Sequence, residues 1–147
     1  MKPKNLNKEK ILIFDTTLRD GEQAPGATMS LEQKSSIAVL LDKMKVDIIE
    51  AGFPISSENE FNTVDSIAQK IKHSTVAGLA RANRNDIDAV IESTKKAKRN
   101  RVHTFIATSP IHMKYKLNKN EEEVLDTIKQ TVTHARNLCD NIEWSCE

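Results

Sequence analysis

Five short apolar runs punctuate the chain: Ile11–Asp15, Asp47–Ala51, Thr75–Leu79, Val102–Ala107 and Asn141–Trp144. Each is short for a helix, and together they are rich in Ile, Val and Phe, which predicts buried strands. Between them apolar residues recur at three- and four-residue intervals, the spacing that lays one stripe along a helix. Ile37, Leu40, Leu41 and Met44 form the first stripe, and Phe61, Val64, Ala68 and Ile71 the second. Ile87, Val90 and Ile91 form the third; Val124, Ile128, Val132, Ala135 and Cys139 form the fourth. Helix starts are marked too. Ser30 with Gln33, and Ser57 with Glu60, have the spacing of capping boxes, in which two side chains satisfy orphaned backbone donors. Asn83 or Asn85 opens the third helix, and Asn118 or Asn120 the fourth.

The resulting order is β-α-β-α-β-α-β-α-β, which predicts an α/β fold of parallel strands joined by right-handed crossovers. Two architectures satisfy it. An open doubly wound sheet is complete at five strands. A (β/α)8 barrel, typically of roughly 250 residues, would be about half present. Periodicity does not choose between them. In a barrel the chemistry sits just past the C-terminal ends of the strands, so the loops there carry the information.

Composition narrows the function classes. The chain has 147 residues, of which 38% are hydrophobic and 29% charged. Such a balance suits one globular domain. A net charge of +1 gives no ground for a nucleic-acid or membrane partner. No apolar run approaches the ~20 residues of a membrane helix. The basic N-terminus is followed by only Ile11–Phe14, too short for a signal-peptide core. Cys139 and Cys146 match neither a disulfide framework nor a common zinc spacing, so a reducing cytoplasm is the expected setting. The basic stretch Lys95–Arg101 has no interleaved aromatic residues; it reads as the cationic end of the third helix.

The connection after the first strand runs from Thr16 to Met29. It is far longer than the usual link from strand to helix in an α/β unit. It opens with packed charge: Asp15, Arg19, Asp20 and Glu22. A carboxylate there can hold a divalent cation, and a guanidinium can neutralise a developing oxyanion. The plainer reading is a salt-bridged surface loop.

The string Leu18-Arg19-Asp20-Gly21-Glu22-Gln23, followed after ten residues by Lys34, resembles the first signature of the 2-isopropylmalate and homocitrate synthases. These belong to the metal-dependent TIM-barrel enzymes named for an Asp/Arg/Glu motif. Glu50-Ala51-Gly52-Phe53-Pro54 is similar to the family's Glu-x-Gly-Phe-Pro. Leu79-Ala80-Arg81, His103–Pro110 and Ser145-Cys146-Glu147 resemble its leucine-pathway branch. The resemblance implies condensation of acetyl-CoA with a 2-oxo acid, here 3-methyl-2-oxobutanoate, followed by thioester hydrolysis. Homocitrate or citramalate synthesis is the alternative. It implies a divalent metal (Mn, Mg or Zn) held partly by Asp20, and Arg19 as the stabiliser of the enolate or alkoxide oxygen. Glu147 corresponds to a glutamate that helps proton transfer. Gln23, His103 and Ser145 correspond to substrate-binding positions, a small residue at Ser145 leaving room for an isopropyl group. Asp15 is expected to brace the loop. The family's His-x-His metal ligands, its Gly- and Asn-rich loop and its leucine-sensing domain have no counterpart among these residues. Residues 1–147 therefore read as the N-terminal half of the barrel, inactive alone. Such a piece is completed by the missing half in trans, or persists as a remnant or as a small binding module. The family forms homodimers.

Overall fold

Five parallel strands lie side by side in chain order: β1 (Phe14–Asp15), β2 (Ile48–Gly52), β3 (Thr75–Arg81), β4 (Asn100–Ile106) and β5 (Ile142–Cys146). The molecule is a computed structural model that describes residues 10–147; the first nine residues of the basic N-terminus lie outside it. The strand order decides between the two architectures. A doubly wound sheet reverses its order at a switch point, as in 3-2-1-4-5-6. Here every strand pairs with its neighbour in sequence, which makes an arc of about half a TIM barrel.

The crossovers are α1 (Leu31–Lys43), α2 (Glu58–Lys70), α3 (Arg84–Thr94) and α5 (Glu121–Leu138), with a short α4 (Pro110–His112) running into a π-helical turn at Met113–Leu117. Ser30 and Asn120 head complete capping boxes, and Asn83 caps α3 through the Asp86 N–H. The box expected at Ser57 is half made. Ser57 accepts from the Glu60 N–H, but the Glu60 carboxylate turns instead to Lys34 and to the Phe53 N–H.

The helices pack on one face of the arc. Ile49, Ala51, Val64, Ile67 and Val76 form one buried cluster under α1 and α2. Ala80, Ile87, Val90, Val102 and Ala135 form a second under α3 and α5. Gly78 marks a close approach of helix to sheet: a Cβ there would stand 2.9 Å from Val90 Cγ1, so α3 sits closer to β3 than a side chain would permit. Strand alternation sends Arg101, His103 and Phe105 to the opposite, concave face.

Two expectations are corrected. β1 is only two residues long. Ile11, Leu12 and Ile13 are exposed, and only the ends of Ile13 are tied, its carbonyl by the Ile48 N–H and its N–H by Asp47. An edge strand has no outer neighbour to complete its ladder. On α1 only half of the expected stripe turns inward, Ile37 and Leu41 packing half-buried against the core. Leu40 and Met44 are exposed, and burial falls on Lys34, Ser35, Ala38 and Asp42. Charged residues take the inner face because both have partners there. Asp42 accepts three backbone N–H bonds, from Lys72, His73 and Ser74, at 2.7–3.1 Å, and so caps the entry to β3. The remaining three stripes bury as expected, with Phe61, Ile91, Ile128 and Val132 half-buried.

Among the described residues no helix is long and apolar enough to cross a membrane.

Candidate functional site

The long loop after β1 is an ordered structure. The Asp15 carboxylate accepts from the Thr17 N–H, which braces the loop at its root. The Thr16 carbonyl accepts from the N–H groups of both Arg19 and Gly21, closing a tight turn that drives Leu18 into the core. A 3-10 turn follows at Gly21–Gln23. Glu22 then holds the far end, accepting from the Met29 N–H and pairing with Lys34 at 2.5 Å.

Lys34 is the hidden strut of this arrangement. Its side chain is 2% exposed, and its ammonium sits between Glu22 and Glu60, the latter at 2.9 Å. Glu60 in turn accepts from the Phe53 N–H in the turn after β2. One buried cation thus ties together the first loop, α1, α2 and the exit of β2. An unpaired ammonium would be expelled from such a place; two carboxylates make it tenable.

The turn aims Arg19 over the concave face. Its Nε donates to Glu50 Oε2 at 2.7 Å and its Nη1 to Asp20 Oδ1 at 3.1 Å, leaving Nη2 outside both bonds. Glu50, in the middle of β2, is fully buried. Its other oxygen, Oε1, lies 2.5 Å from His103 Nδ1, and His103 Nε2 lies 2.8 Å from Ser145 Oγ on β5. The Phe14 ring packs edge-on against the imidazole, with centroids 5.6 Å apart. A continuous polar chain, Arg19–Glu50–His103–Ser145, therefore crosses from β1 to β5. Burial alone would push the Glu50 carboxyl up, but the hydrogen bonds from His103 and Arg19 hold it below the ordinary glutamate value.

The expected site residues divide into two groups. Arg19, His103 and Ser145 come together through Glu50. His103 stands in mid-strand rather than at the rim, one layer below the strand ends. Asp20 and Glu147 lie at the C-terminal rim. Asp20 is 63% exposed, with one oxygen on Arg19. Glu147 follows β5, anchored by its N–H to the Ile106 carbonyl, and its half-exposed carboxylate pairs with Lys116 at 3.3 Å. Gln23 ends the 3-10 turn in an exposed position, outside the polar chain. Beside Glu147 opens a cavity of about 570 Å³, floored by Phe105, Ile106 and Leu117 and edged by Lys116, Lys119 and Arg81.

No group of three or more His, Cys, Asp or Glu side chains among the described residues could hold a metal ion. Asp20 fits one ligand position of a divalent cation, since one of its oxygens is free of Arg19, but a cation needs several ligands in fixed geometry.

Two residues of this site, Glu50 and Lys34, stand in the sequence motifs without a role read from them. The signal for Glu50 was a carboxylate inside an apolar strand, since charged groups are almost never fully buried unless paired. Lys116 gave no signal, because its partner is 31 residues away.

Residues 10–147 match the HMGL-like family. The 2-isopropylmalate synthase of Caulobacter vibrioides is 55% identical over 140 residues, covering 95% of this chain and 27% of that protein. The 2-isopropylmalate synthase of Bradyrhizobium diazoefficiens is 57% identical over 141 residues, covering 96% and 27%. The chain thus spans about a quarter of the length of these curated relatives. Among solved structures, an HMG-CoA lyase from Bacillus subtilis superposes with a TM-score of 0.68 at 23% identity, covering 93% of this chain and 45% of that one. An HMG-CoA lyase from Acinetobacter baumannii, in complex with coenzyme A and 3-methylmalate, gives 0.67 at 17% identity, covering 92% and 44%. These two likenesses speak for the fold alone, but sequence, topology and relatives agree: the chain belongs to the HMGL-like family of TIM-barrel enzymes.

Proposed function

We propose that this chain is the oxo-acid-binding part of a 2-isopropylmalate synthase, which condenses acetyl-CoA with 3-methyl-2-oxobutanoate. The observation that carries the reading is the polar chain from Arg19 to Ser145, in a sequence over half identical to synthases of that name. Arg19 is held at two edges of its fork by Glu50 and Asp20. Its Nη2, outside both bonds, stabilises the oxyanion that develops on the keto oxygen; a planar, permanently charged fork suits this better than an ammonium. Glu147 takes a proton from the acetyl methyl group, the resulting carbanion forms the new bond to the keto carbon, whose oxygen takes up a proton, and water then cleaves the thioester to leave a carboxylate and free CoA. Lys116 keeps the Glu147 carboxylate oriented. The cavity beside Glu147 accepts the acyl carrier: its apolar floor suits a pantetheine arm and its cationic edge suits phosphate. Ser145 and His103 line the wall that meets the side chain of the oxo acid. A divalent metal would take Asp20 as one ligand and would supply polarisation of the oxo acid.

The isolated chain is expected to release no CoA from acetyl-CoA above background. The direct test is a chimera in which this chain replaces the matching segment of the Caulobacter vibrioides relative. The reading expects CoA release that depends on 3-methyl-2-oxobutanoate and falls severely in Arg19→Lys. A folded chimera without turnover, or one preferring 2-oxoglutarate or pyruvate, overturns it.

A further inference from the structure

Glu50 carries a charge in the middle of a buried strand, yet it touches no reacting atom in the scheme above. Its two oxygens are separately committed. Oε2 accepts from Arg19 Nε at 2.7 Å, and Oε1 lies 2.5 Å from His103 Nδ1. An ionised carboxylate is acceptor-only, so the proton on that second contact belongs to Nδ1. A neutral imidazole with its proton on Nδ1 has only an acceptor left at Nε2. Ser145 Oγ lies 2.8 Å from that nitrogen. The hydroxyl must then spend its hydrogen on the ring.

We infer that Glu50 is a positioning residue that fixes the Nδ1–H form of His103 and so turns the Ser145 hydroxyl hydrogen away from the oxo-acid pocket. The wall made by His103 and Ser145 then offers lone pairs and no free N–H or O–H. A branched apolar side chain lies against such a wall without loss. A second carboxylate meets no donor there, and burying it unpaired is costly. Glu50 thereby acts on substrate choice through two intervening side chains. That bearing on substrate choice rests on the proposed function; the tautomer stands on the geometry alone.

The isosteric variant makes a sharp test. In Glu50→Gln the side chain keeps its shape but has one carbonyl oxygen and one NH2 group. Arg19 Nε requires the oxygen, which leaves the NH2 facing His103 Nδ1. The ring must then accept at Nδ1 and carry its proton on Nε2. Nε2 would donate to Ser145 Oγ and release the hydroxyl hydrogen toward the pocket.

The full 147-residue chain, labelled with 15N, is examined by ring 1H–15N correlation NMR at pH 8, above the ordinary histidine pKa of ~6.5. His103→Gln assigns the signals. Wild type is expected to show a protonated Nδ1 and a bare Nε2, Ser145→Ala to keep that form, and Glu50→Gln to exchange the two nitrogen signatures. A wild-type ring protonated at Nε2, or at both nitrogens, overturns the inference. So does an Nδ1–H form that survives Glu50→Gln, or one that Ser145→Ala abolishes. If Glu50→Gln does not fold, the wild-type and Ser145→Ala spectra still decide. In the active chimera, Glu50→Gln should narrow the kcat/KM preference for 3-methyl-2-oxobutanoate over 2-oxoglutarate by about tenfold, the worth of one hydrogen bond to a charged group. An unchanged ratio removes Glu50 from substrate choice. An inactive chimera with the expected tautomer would count against the reaction and not against the ring assignment.

Discussion

Replacing Lys34 by methionine tests the buried strut most directly. The substitution keeps an unbranched apolar stem and deletes only the charged head. In the wild type that head is 2.5 Å from Glu22 and 2.9 Å from Glu60, with 2% of the side chain exposed. Without it, two carboxylates face each other across an apolar gap, each about one-fifth exposed. Removing one partner of a fully buried ion pair costs about 3–5 kcal/mol. Discounting for the exposed fifth and for entering water leaves roughly 2–4 kcal/mol. For a chain of this length 1 kcal/mol moves Tm by about 3–4 °C, so the midpoint should fall by roughly 10 °C. Differential scanning calorimetry reads this directly. Adding Glu22→Gln and Glu60→Gln to Lys34→Met should recover about half the loss, because neutral amides do not repel one another. A fall of less than ~3 °C, or no recovery in the triple variant, would refute the assignment of Lys34 as a charge-compensated strut.

Gly78→Ala places a new methyl 2.9 Å from the branched Val90 side chain, where neither strand nor helix can easily retreat. It should destabilise the fold by about 1–3 kcal/mol; urea unfolding checks it, and an unchanged midpoint contradicts the packing. Acid should weaken the chain through Asp42 and Glu50. Burial pushes both carboxyls up, but the backbone N–H groups of Ser74, His73 and Lys72 outweigh it for Asp42, as His103 and Arg19 do for Glu50, so both sit below their ordinary values when folded. Their stabilisation is complete above the unfolded pKa values of about 4 and is lost as pH falls through the folded ones. The urea midpoint should therefore be level near neutrality and decline below about pH 4, and a midpoint that rises on acidification would contradict it. In the chimera, Ser145→Tyr should shift preference from 3-methyl-2-oxobutanoate toward pyruvate by filling the space of the isopropyl group; an unchanged ranking in kcat/KM would remove Ser145 from the pocket.

Much of this was legible in the sequence because the signals are local. Helix stripes repeat within a few residues, and caps sit three residues apart, so α2, α3 and α5 fell where their patterns place them. The failures share one cause. On α1 a hydrophobicity pattern assigns Lys34 and Asp42 to solvent, whereas their partners at Glu22, Glu60 and the entry to β3 pull them inward. A local reading gives the Glu60 carboxylate to its own helix cap, whereas a partner 26 residues away claims it. Site residues were legible as motif members, but their connection was not. Glu50, His103 and Ser145 meet across separations of 53 and 42 residues, and only the strand register brings them together.

That register also bears on how the chain folds as it is synthesised. Each strand finds its partner one β/α unit upstream: Ile48 joins Phe14, Thr75 joins Ile48, Asn100 joins Val76 and Ile142 joins Val102. No pairing has to wait for a distant segment, so a chain leaving the ribosome N-terminus first can add strands in order. The polar chain of the concave face grows on the same schedule. Arg19 waits for Glu50, Glu50 for His103, and His103 for Ser145. Until β5 docks, Glu50 already has both its partners, so the buried charge is neutralised early. The Ser145 hydroxyl arrives last, when the scaffold that orients it is already in place.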